Sequence, residues 1–490
     1  MKKINFLVLF FMFSMIFTSC EDFSTDLEPA FEQDPTPREA VTENTAQGIF
    51  KGWYQTVNNV FDTGGPGLAF TTMADMGTCS WGNLAMKDLS SEPRVAWNNA
   101  TTYGNKDATE GFFNACYTLL ADCNALLAKL KNEGSSTYDD PARVEALARF
   151  GQAAFVGTIA LTFDRVWVSN EDGPMFDGEA VSPNEALAVA LENLDKAIAI
   201  AENNSFTLDS DFINGTTLSS AEFAQFLNTY AARLMVNMPR NASQANSVDW
   251  ARVLAYTEKG LTYDLKVTSD GWTTWYSEWA IMSVYPGWLR VDMRVINLMD
   301  PNTIDYWTSS NPTIAPSTSV DNRLATDFEY LDGQSFKADR GLYHYSSYRF
   351  SRYDAVAQDS DWTGAFNEML QAENEVYKAE AYLRLNMLDK AAGVLNAPTN
   401  ARKVRGGLAD VPENAIAIAD AIHYEISVEL FATGMGLGFF EMRRKDLLQK
   451  GTLLHFPIPG SALEAAGIPN YTFGGTTGVA GEDYSNGGWR

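Results

Sequence analysis

The chain has few of the side chains that usually carry catalysis or hold metal ions. It contains only four cysteines and three histidines among 490 residues, and His344, His423 and His455 lie far apart in the sequence. None of the three lies in an HExxH motif, a nucleophile elbow or another motif with a known mechanism. There is no CxxC motif or cysteine–histidine cluster, so no zinc site is predicted. We predict structural histidines and no cofactor.

Basic residues are also scarce. The chain has 36 Lys and Arg against 62 Asp and Glu, a formal net charge of −26, and it shows no basic stripe. Phosphate backbones would repel so acidic a protein, which excludes nucleic acid as an expected partner. With this many carboxylates a close pair arises by chance, so a glycosidase pair cannot be chosen from the sequence. An enzyme is not predicted, and an envelope glycoside hydrolase is the least favoured alternative.

Three cysteines follow Cys20, which is an odd number for a secreted chain. Cys116 and Cys123 fall on one predicted helix, where seven residues at about 1.5 Å each place them roughly 10.5 Å apart. This exceeds the ~7 Å limit for a disulfide, so they should not bridge each other. Cys79 could pair with either.

The amino terminus has the pattern of a secretory signal peptide over residues 1–19. Lys2 and Lys3 precede an apolar run from Phe6 to Phe17, and Thr18 and Ser19 lead to Cys20. The run is too short to span a hydrocarbon layer about 30 Å thick, which needs about 20 apolar residues. A transmembrane anchor is therefore not expected.

Cys20 resembles the cysteine of a bacterial lipobox, where the thiol is diacylated and becomes the first residue of the mature chain. Two or more acyl chains hold a protein stably at a membrane. Residues 20–40 are rich in Glu, Asp, Pro and Thr and poor in apolar side chains. We predict a lipidated flexible tether over 20–40, followed by a single domain over 41–490.

Helical periodicity dominates much of this domain. In one stretch Ala186, Ala190, Leu194 and Ala197 repeat at spacings of three and four residues, which is typical of an amphipathic helix. Helices are predicted over approximately 42–61, 109–131, 142–163, 183–203, 219–238, 249–260, 366–397 and 415–431. The long stretches between them, chiefly 62–108, 264–365 and 432–490, are predicted as functional loops.

Two stretches are typical of tetratricopeptide-like helix pairs. In the better one, Ala379 to Leu395, small residues would lie at the helix crossing and Asn386 would take the left-handed turn position. Asp249 begins a similar second helix. The fold class is therefore predicted as mainly α, with tetratricopeptide-like pairs forming a scaffold, long irregular loops and few short strands.

Several segments, taken in order, resemble the SusD/RagB family of outer-membrane lipoproteins. They are Arg149–Phe163 with Gly173-Pro174, Ala379–Asn386 continuing to Asn396 and Arg405-Gly406, Ile422–Phe431 continuing to Arg444, and Phe456–Pro459. The resemblance implies a helical scaffold that binds nutrients without catalysis. It also implies location at the outer membrane, on the cell surface, and a lid role over a SusC-like TonB-dependent transporter.

Aromatic residues are concentrated in one predicted loop and supply the candidate binding residues. A flat ring can cover the C–H face of a sugar while neighbouring polar side chains bond the hydroxyl rim. Trp81 and Asn83 in a glycine-rich loop have the same character. The alternative for each tryptophan is a core position beneath the loops. The predicted ligand-binding set is Trp81, Asn83, Trp272, Trp275, Tyr276, Trp279 and Trp288.

These features predict a lipoprotein that binds an oligosaccharide or polysaccharide at the cell surface and delivers it to the transporter. A peptide ligand on the same scaffold is the alternative. The basic runs Arg402–Arg405 and Arg443–Lys445 are predicted to form salt bridges at helix ends rather than to contact a ligand.

Overall fold

The computed structural model describes residues 41–61, 63–79, 84–176, 178–285, 287–306, 314–332, 344–357, 360–476 and 483–490. The predicted signal peptide and tether, including Cys20, lie outside these residues.

The described residues are mainly helical, with helices of very different length. The helices are α1 Glu43–Asn58, α2 Gly67–Met73, α3 Met86–Leu89, α4 Asp107–Glu133, α5 Pro141–Thr162, α6 Pro183–Asn203, α7 Ser220–Asn237, α8 Ala242–Asn246, α9 Trp250–Glu258, α10 Glu278–Val284, α11 Met293–Met299, α12 Arg323–Asp327, α13 Asp354–Ala357, α14 Gln371–Arg384, α15 Leu388–Leu395, α16 Ala401–Val404, α17 Ala415–Val428, α18 Leu437–Arg444 and α19 Gly460–Ala465.

The strands are short and form two-stranded antiparallel sheets. They are β1 Gly77–Cys79, β2 Thr207–Leu208, β3 Leu218–Ser219, β4 Leu265–Asp270, β5 Leu289–Val291, β6 Phe328–Tyr330, β7 Tyr348–Phe350 and β8 Thr363–Met369. Their pairs are β1 with β5, β2 with β3, β4 with β8 and β6 with β7. The predicted class, a mainly α scaffold with few short strands, is confirmed.

The long helices pack against one another in a continuous series. Helices α4, α5, α6 and α7 each pack on the next, α9 joins α7 to α14, and α17 packs on both α14 and α15. Helix α5 is apolar enough to cross a membrane by length and composition, but 89% of its most apolar window is buried inside the protein. It is the central helix of the core, in contact with α1, α4 and α6.

Side-chain caps fix where several of these helices begin. Ser182 and Glu185 form a capping box at the start of α6, and Ser219 and Glu222 form another at α7. Asp249 accepts a hydrogen bond from the backbone of α9. Each cap satisfies amide groups that have no partner within the helix, so these boundaries follow directly from the sequence.

The predicted helix pair around Asn386 is present. Asn386 lies between α14 and α15 with φ of 58°, the left-handed conformation expected for it. The predicted helix over 366–397 begins too early, however, because Thr363–Met369 is strand β8, paired with β4. Cross-strand pairing, which sequence periodicity does not report, fixes these residues as a strand.

Cys116 and Cys123 lie on α4, where both side chains are buried. They do not bridge each other, as predicted, and the side chain of Cys79 lies outside the part of the structure that is described. Burial raises the pKa of the Cys116 thiol because the thiolate would lose its hydration.

A cluster of buried ion pairs joins α12 to α16 and α17. The fully buried guanidinium of Arg323 donates to Asp321 at 2.8 Å, to Glu425 at 2.6 Å and to Glu429 at 3.0 Å. Further arginines donate to the same carboxylates or to Asp327. We call this set the Arg323 cluster; its members are Asp321, Arg323, Asp327, Arg352, Arg402, Arg405, Glu425 and Glu429.

The basic runs therefore contribute to the scaffold, as predicted. Arg402 and Arg405 belong to the Arg323 cluster, and Lys445 lies 2.5 Å from Glu441. Arg444 pairs with Glu380. Arg443 has a different role, because it donates to backbone carbonyls at the ends of α5 and α7, where carbonyl groups lack helical partners.

Candidate functional site

Four aromatic side chains meet where the β4–β8 pair approaches α10. Trp272 contacts Tyr276 at a centroid distance of 5.4 Å and Trp362 at 6.0 Å, and Trp362 stacks on Tyr285 at 5.4 Å with an interplanar angle of 28°. Trp272 is 54% exposed and Tyr285 is 44% exposed, whereas Tyr276 and Trp362 are buried beneath them. We call these four residues the aromatic surface.

Trp362 lies 90 residues after Trp272 in the sequence, and the pairing of β4 with β8 brings it to this surface. Asp270 pairs with Thr363, and the Gly271 amide donates to the Trp362 carbonyl at 3.2 Å. Asp361 and Trp362 have φ of 47° and 64°, so two consecutive non-glycine residues are left-handed. Such backbone carries a cost of order 1–3 kcal/mol and is concentrated at binding sites.

A second aromatic pair lies close to Tyr285 and joins Phe61, which follows α1, to Trp288, which follows α10. Phe61 and Trp288 contact each other edge to face at 5.7 Å, and Phe61 is exposed while Trp288 is half-buried. The Phe61 amide donates to the buried Glu278 carboxylate at 2.7 Å. The Trp288 amide donates to the Tyr285 carbonyl at 3.0 Å, so Trp288 lies close to the aromatic surface. Phe61 and Trp288 therefore extend the region in which aromatic side chains reach solvent.

Two of the predicted ligand-binding tryptophans are core residues. Trp279 is 1% exposed on α10, and a Cβ atom added at Gly67 would lie 3.2 Å from its ring. Trp275 is also buried and packs on Tyr54 at 5.5 Å. Neither ring offers a face to a ligand in this structure. Trp279 is turned inward because it lies on α10, whereas Trp275 precedes that helix, in a loop where its amide donates to Asp270.

Of the remaining predicted residues, Trp272 is at the surface, Tyr276 supports it and Trp288 lies beside Phe61. Trp81 and Asn83 lie outside the described residues. Strand β1 ends at Cys79, which pairs with Leu289, the residue that follows Trp288.

Sequence reasoning missed three of the side chains that form this region. Tyr285, Phe61 and Trp362 are not among the residues that the sequence predicts to bind a ligand. Phe61 follows a helix and Trp362 precedes a strand, and both lie far in the sequence from the aromatic stretch of residues 272–288. Only the long-range pairing of β4 with β8 identifies Trp362, and no local pattern reports that pairing.

The loop of residues 271–277, which carries Trp272 and Tyr276, is held by polar side chains. Asp270 Oδ1 accepts hydrogen bonds from the amides of Thr274 at 3.1 Å and Trp275 at 2.9 Å. Gln55 of α1 donates to the Thr274 carbonyl at 2.9 Å. Ser277 ends the loop by capping α10, where its hydroxyl accepts from the Ala280 amide at 3.1 Å.

A buried carboxyl group lies beneath this loop. Glu368 of β8 accepts a hydrogen bond from Asn58 at 2.9 Å through Oε2, and among the described residues no partner bonds Oε1. Burial raises the pKa of Glu368 to about 7 because the ionised form loses its hydration; the Arg233 charge opposes this. Burial, followed by the Glu368 charge, raises the pKa of the nearby Tyr54 hydroxyl.

The chemistry available at the aromatic surface is stacking and hydrogen bonding. Exposed indole and phenol rings bind flat apolar faces of a ligand, and the Asp361 side chain is exposed next to Trp362. Within the described ranges, no group of three or more His, Cys, Asp or Glu side chains could hold a metal ion.

Comparison with solved structures defines the class of fold. The chain has the fold of the SusD superfamily, which confirms the predicted resemblance at the level of the fold. No protein-family model and no curated protein sequence matches the chain.

Three solved structures illustrate the likeness. A SusD superfamily protein from Parabacteroides distasonis has a TM-score of 0.61 at 13% identity, over 86% of this chain and 97% of its own. A SusD homologue from Bacteroides fragilis has a TM-score of 0.54 at 14% identity, over 91% and 98%. The surface glycan-binding protein A from Bacteroides uniformis has a TM-score of 0.52 at 13% identity, over 86% and 93%.

Proposed function

We propose that this protein binds an oligosaccharide or polysaccharide at the cell surface and passes it to a SusC-like TonB-dependent transporter in the outer membrane. The observation that carries the proposal is the aromatic surface, where Trp272 and Tyr285 are exposed on either side of Trp362. The fold supports it, since one protein of the same fold is named a glycan-binding protein. Catalysis has no part in the proposal.

Binding would follow from the shape of the two partners. A pyranose ring presents a face of C–H groups that an exposed indole covers, which removes apolar area of both from water at about 25 cal/mol per Å². The hydroxyl rim stays at the edge of the surface, within reach of polar side chains such as Asp361. Successive sugar rings can then occupy Trp272 and Tyr285.

The lipid anchor supplies the location. Acylation of Cys20 would attach residues 20–40 to the outer membrane, and a coil of about 20 residues has ends roughly 25 Å apart. That reach would let the folded domain hinge over a neighbouring transporter. Replacing Cys20 with Ala should therefore abolish uptake by cells but leave glycan affinity of the soluble domain unchanged. A loss of affinity in that variant would refute the separation of anchoring from binding.

Affinity electrophoresis tests the binding step. Protein lacking residues 1–20 is run in native gels cast with amylopectin, xylan, galactomannan or laminarin, and at least one polysaccharide should retard it. Trp272→Ala should weaken the affinity measured by that retardation about tenfold, because a ring contact contributes about 0.5–1.5 kcal/mol in addition to the apolar area that it covers.

Ile416→Ala is the matched control, because Ile416 is a 73% exposed apolar side chain on α17. It should leave retardation unchanged. Wild-type protein that no glycan retards, or equal effects of the two substitutions, would contradict the proposal. Binding of peptides that survives Trp272→Ala but falls with salt would favour a peptide ligand, and release of reducing ends would favour a hydrolase.

A further inference from the structure

Asn58, the last residue of α1, bridges two elements beneath the aromatic surface. Its amide nitrogen donates to Glu368 Oε2 of β8 at 2.9 Å, and its amide oxygen accepts from the Ser277 hydroxyl at 2.7 Å. The side chain is buried, so water does not compete for these bonds. A buried amide with both ends bonded fixes the separation of the groups that it joins.

Ser277 passes this constraint to the loop of residues 271–277. Its hydroxyl donates to Asn58 while accepting from the Ala280 amide, so the start of α10 and the end of the loop are tied to α1. Tyr276, the neighbouring residue, supports Trp272 at 5.4 Å. A shift at Ser277 would therefore move the side chain on which Trp272 rests.

Among the described residues, the ring contacts of Trp272 are weaker than the hydrogen bonds of the Asn58 amide. Trp272 is more than half exposed, and its described ring contacts are with Tyr276 and Trp362 at centroid distances of 5.4 and 6.0 Å. Such contacts contribute about 0.5–1.5 kcal/mol each. A ring held this weakly keeps one orientation only if the backbone beneath it is fixed, and a pre-organised surface binds more tightly because less conformational entropy is lost on binding.

Resting on the function proposed above, we propose that Asn58 is a positioning residue for the aromatic surface: through Ser277 it fixes the loop of residues 271–277 and so sets glycan affinity without touching the glycan. The amide is suited to this role because it presents a donor to a carboxyl group and an acceptor to a hydroxyl at the same time.

The test compares Asn58→Ala with Asn124→Ala, a matched substitution on α4. Asn124 is also a buried amide that is bonded at both ends, donating to Ser169 at 2.8 Å and accepting from Gln152 at 2.8 Å. Both variants should lose similar thermal stability. Only Asn58→Ala should speed amide hydrogen exchange over residues 271–281 and lower affinity about tenfold in the amylopectin, xylan, galactomannan or laminarin gel that retards the wild type.

Two further variants separate positioning from a general loss of folding. Ser277→Ala should reproduce the effect of Asn58→Ala, and Ser277→Thr should restore affinity because threonine keeps the hydroxyl. In a Trp272→Ala background Asn58→Ala should lower affinity no further, since its effect passes through that ring.

The outcomes distinguish this inference from the proposed function. Equal exchange over residues 271–281 in the Asn58→Ala and Asn124→Ala variants, or equal losses of affinity, would overturn the positioning role even if Trp272→Ala weakens binding. Failure of every polysaccharide to retard the wild type would overturn the proposed function, while the exchange comparison would still decide whether Asn58 fixes the loop.

Discussion

The aromatic surface and the Arg323 cluster both join residues that are far apart in the sequence, but different interactions hold them. In the Arg323 cluster, one fully buried guanidinium bonds three carboxylates at 2.6 to 3.0 Å. At the aromatic surface, rings touch at centroid distances of 5.4 to 6.0 Å above a hydrogen-bonded loop. Charged groups thus fix the scaffold, while the surface keeps two rings exposed to solvent.

This difference separates stability from binding. A charged group whose hydrogen bonds are all made inside the protein has none left for a ligand. Its removal leaves its partners as unpaired buried charges. An exposed ring contributes little to folding and can be covered by a ligand at little cost. Substitutions in the Arg323 cluster should therefore lower stability and leave ligand affinity unchanged, whereas substitutions of exposed rings should do the reverse. The largest expected effect is on stability, in the Arg323 cluster.

Arg323→Ala should destabilise the protein most. It leaves Asp321, Glu425 and Glu429 with fewer partners in a buried site, and breaking such a pair costs about 3–5 kcal/mol. Urea denaturation at pH 7 measures this loss, and the folded fraction should bind glycan as the wild type does. Arg405→Ala is the control, because the Arg405 side chain is 29% exposed and water can replace part of what is lost. Equal losses in the two variants would contradict the comparison.

Glu368→Gln should change the pH dependence of stability. Because the pKa of Glu368 is raised from 4.5 to about 7, the folded state holds a proton that the unfolded state has released between these values, and stability falls as pH rises through that window. At 1.36 kcal/mol per pKa unit the fall is on the order of 3 kcal/mol. Glutamine stays neutral and keeps an oxygen for Asn58.

The unfolding free energies of the wild type and Glu368→Gln should therefore be similar at pH 4, and the variant should be the more stable at pH 8. Urea titrations across this range measure the difference. A constant offset between the two proteins at every pH would show that Glu368 does not titrate in this window.

The smallest effect on stability is expected from substitutions of Asp361, the left-handed residue that precedes Trp362. Asp361 has φ of 47°, which a side chain with a Cβ adopts at a cost of about 1 kcal/mol and glycine adopts freely. Asp361→Ala should therefore be about 1 kcal/mol less stable than Asp361→Gly in thermal or urea unfolding. The reverse order would mean that the left-handed conformation is not retained. If both lose glycan affinity equally, the carboxylate itself contacts the ligand.

The sequence predicts the scaffold better than the binding surface, because the residues that begin and end a helix are neighbours in the sequence. Capping residues such as Ser182 and Ser219 mark where helices begin, and Asn386 marks a turn, so these features could be placed without the structure. The Arg323 cluster could be predicted only as salt bridges at helix ends, without partners. Its partners come from α12 and α17, about 100 residues apart.

The aromatic surface could be predicted only as a region. Trp272 and Trp279 look alike in the sequence, yet one is exposed and the other buried, because α10 begins between them at Glu278. Trp362 reaches the surface through the pairing of β4 with β8. Both facts depend on long-range packing, which a pattern of neighbouring residues does not contain.

Helix α1 also sets a standoff distance. It begins two residues after Val41, whose carbonyl accepts from Lys129 at 3.0 Å, and it ends at Asn58 beneath the aromatic surface. Its 16 residues span about 24 Å at 1.5 Å each. If the chain is tethered through its amino terminus and binds a glycan as proposed, the glycan lies about one helix length from the point where the described domain starts. Because α1 packs on α4 and α5, this separation is a fixed property of the domain.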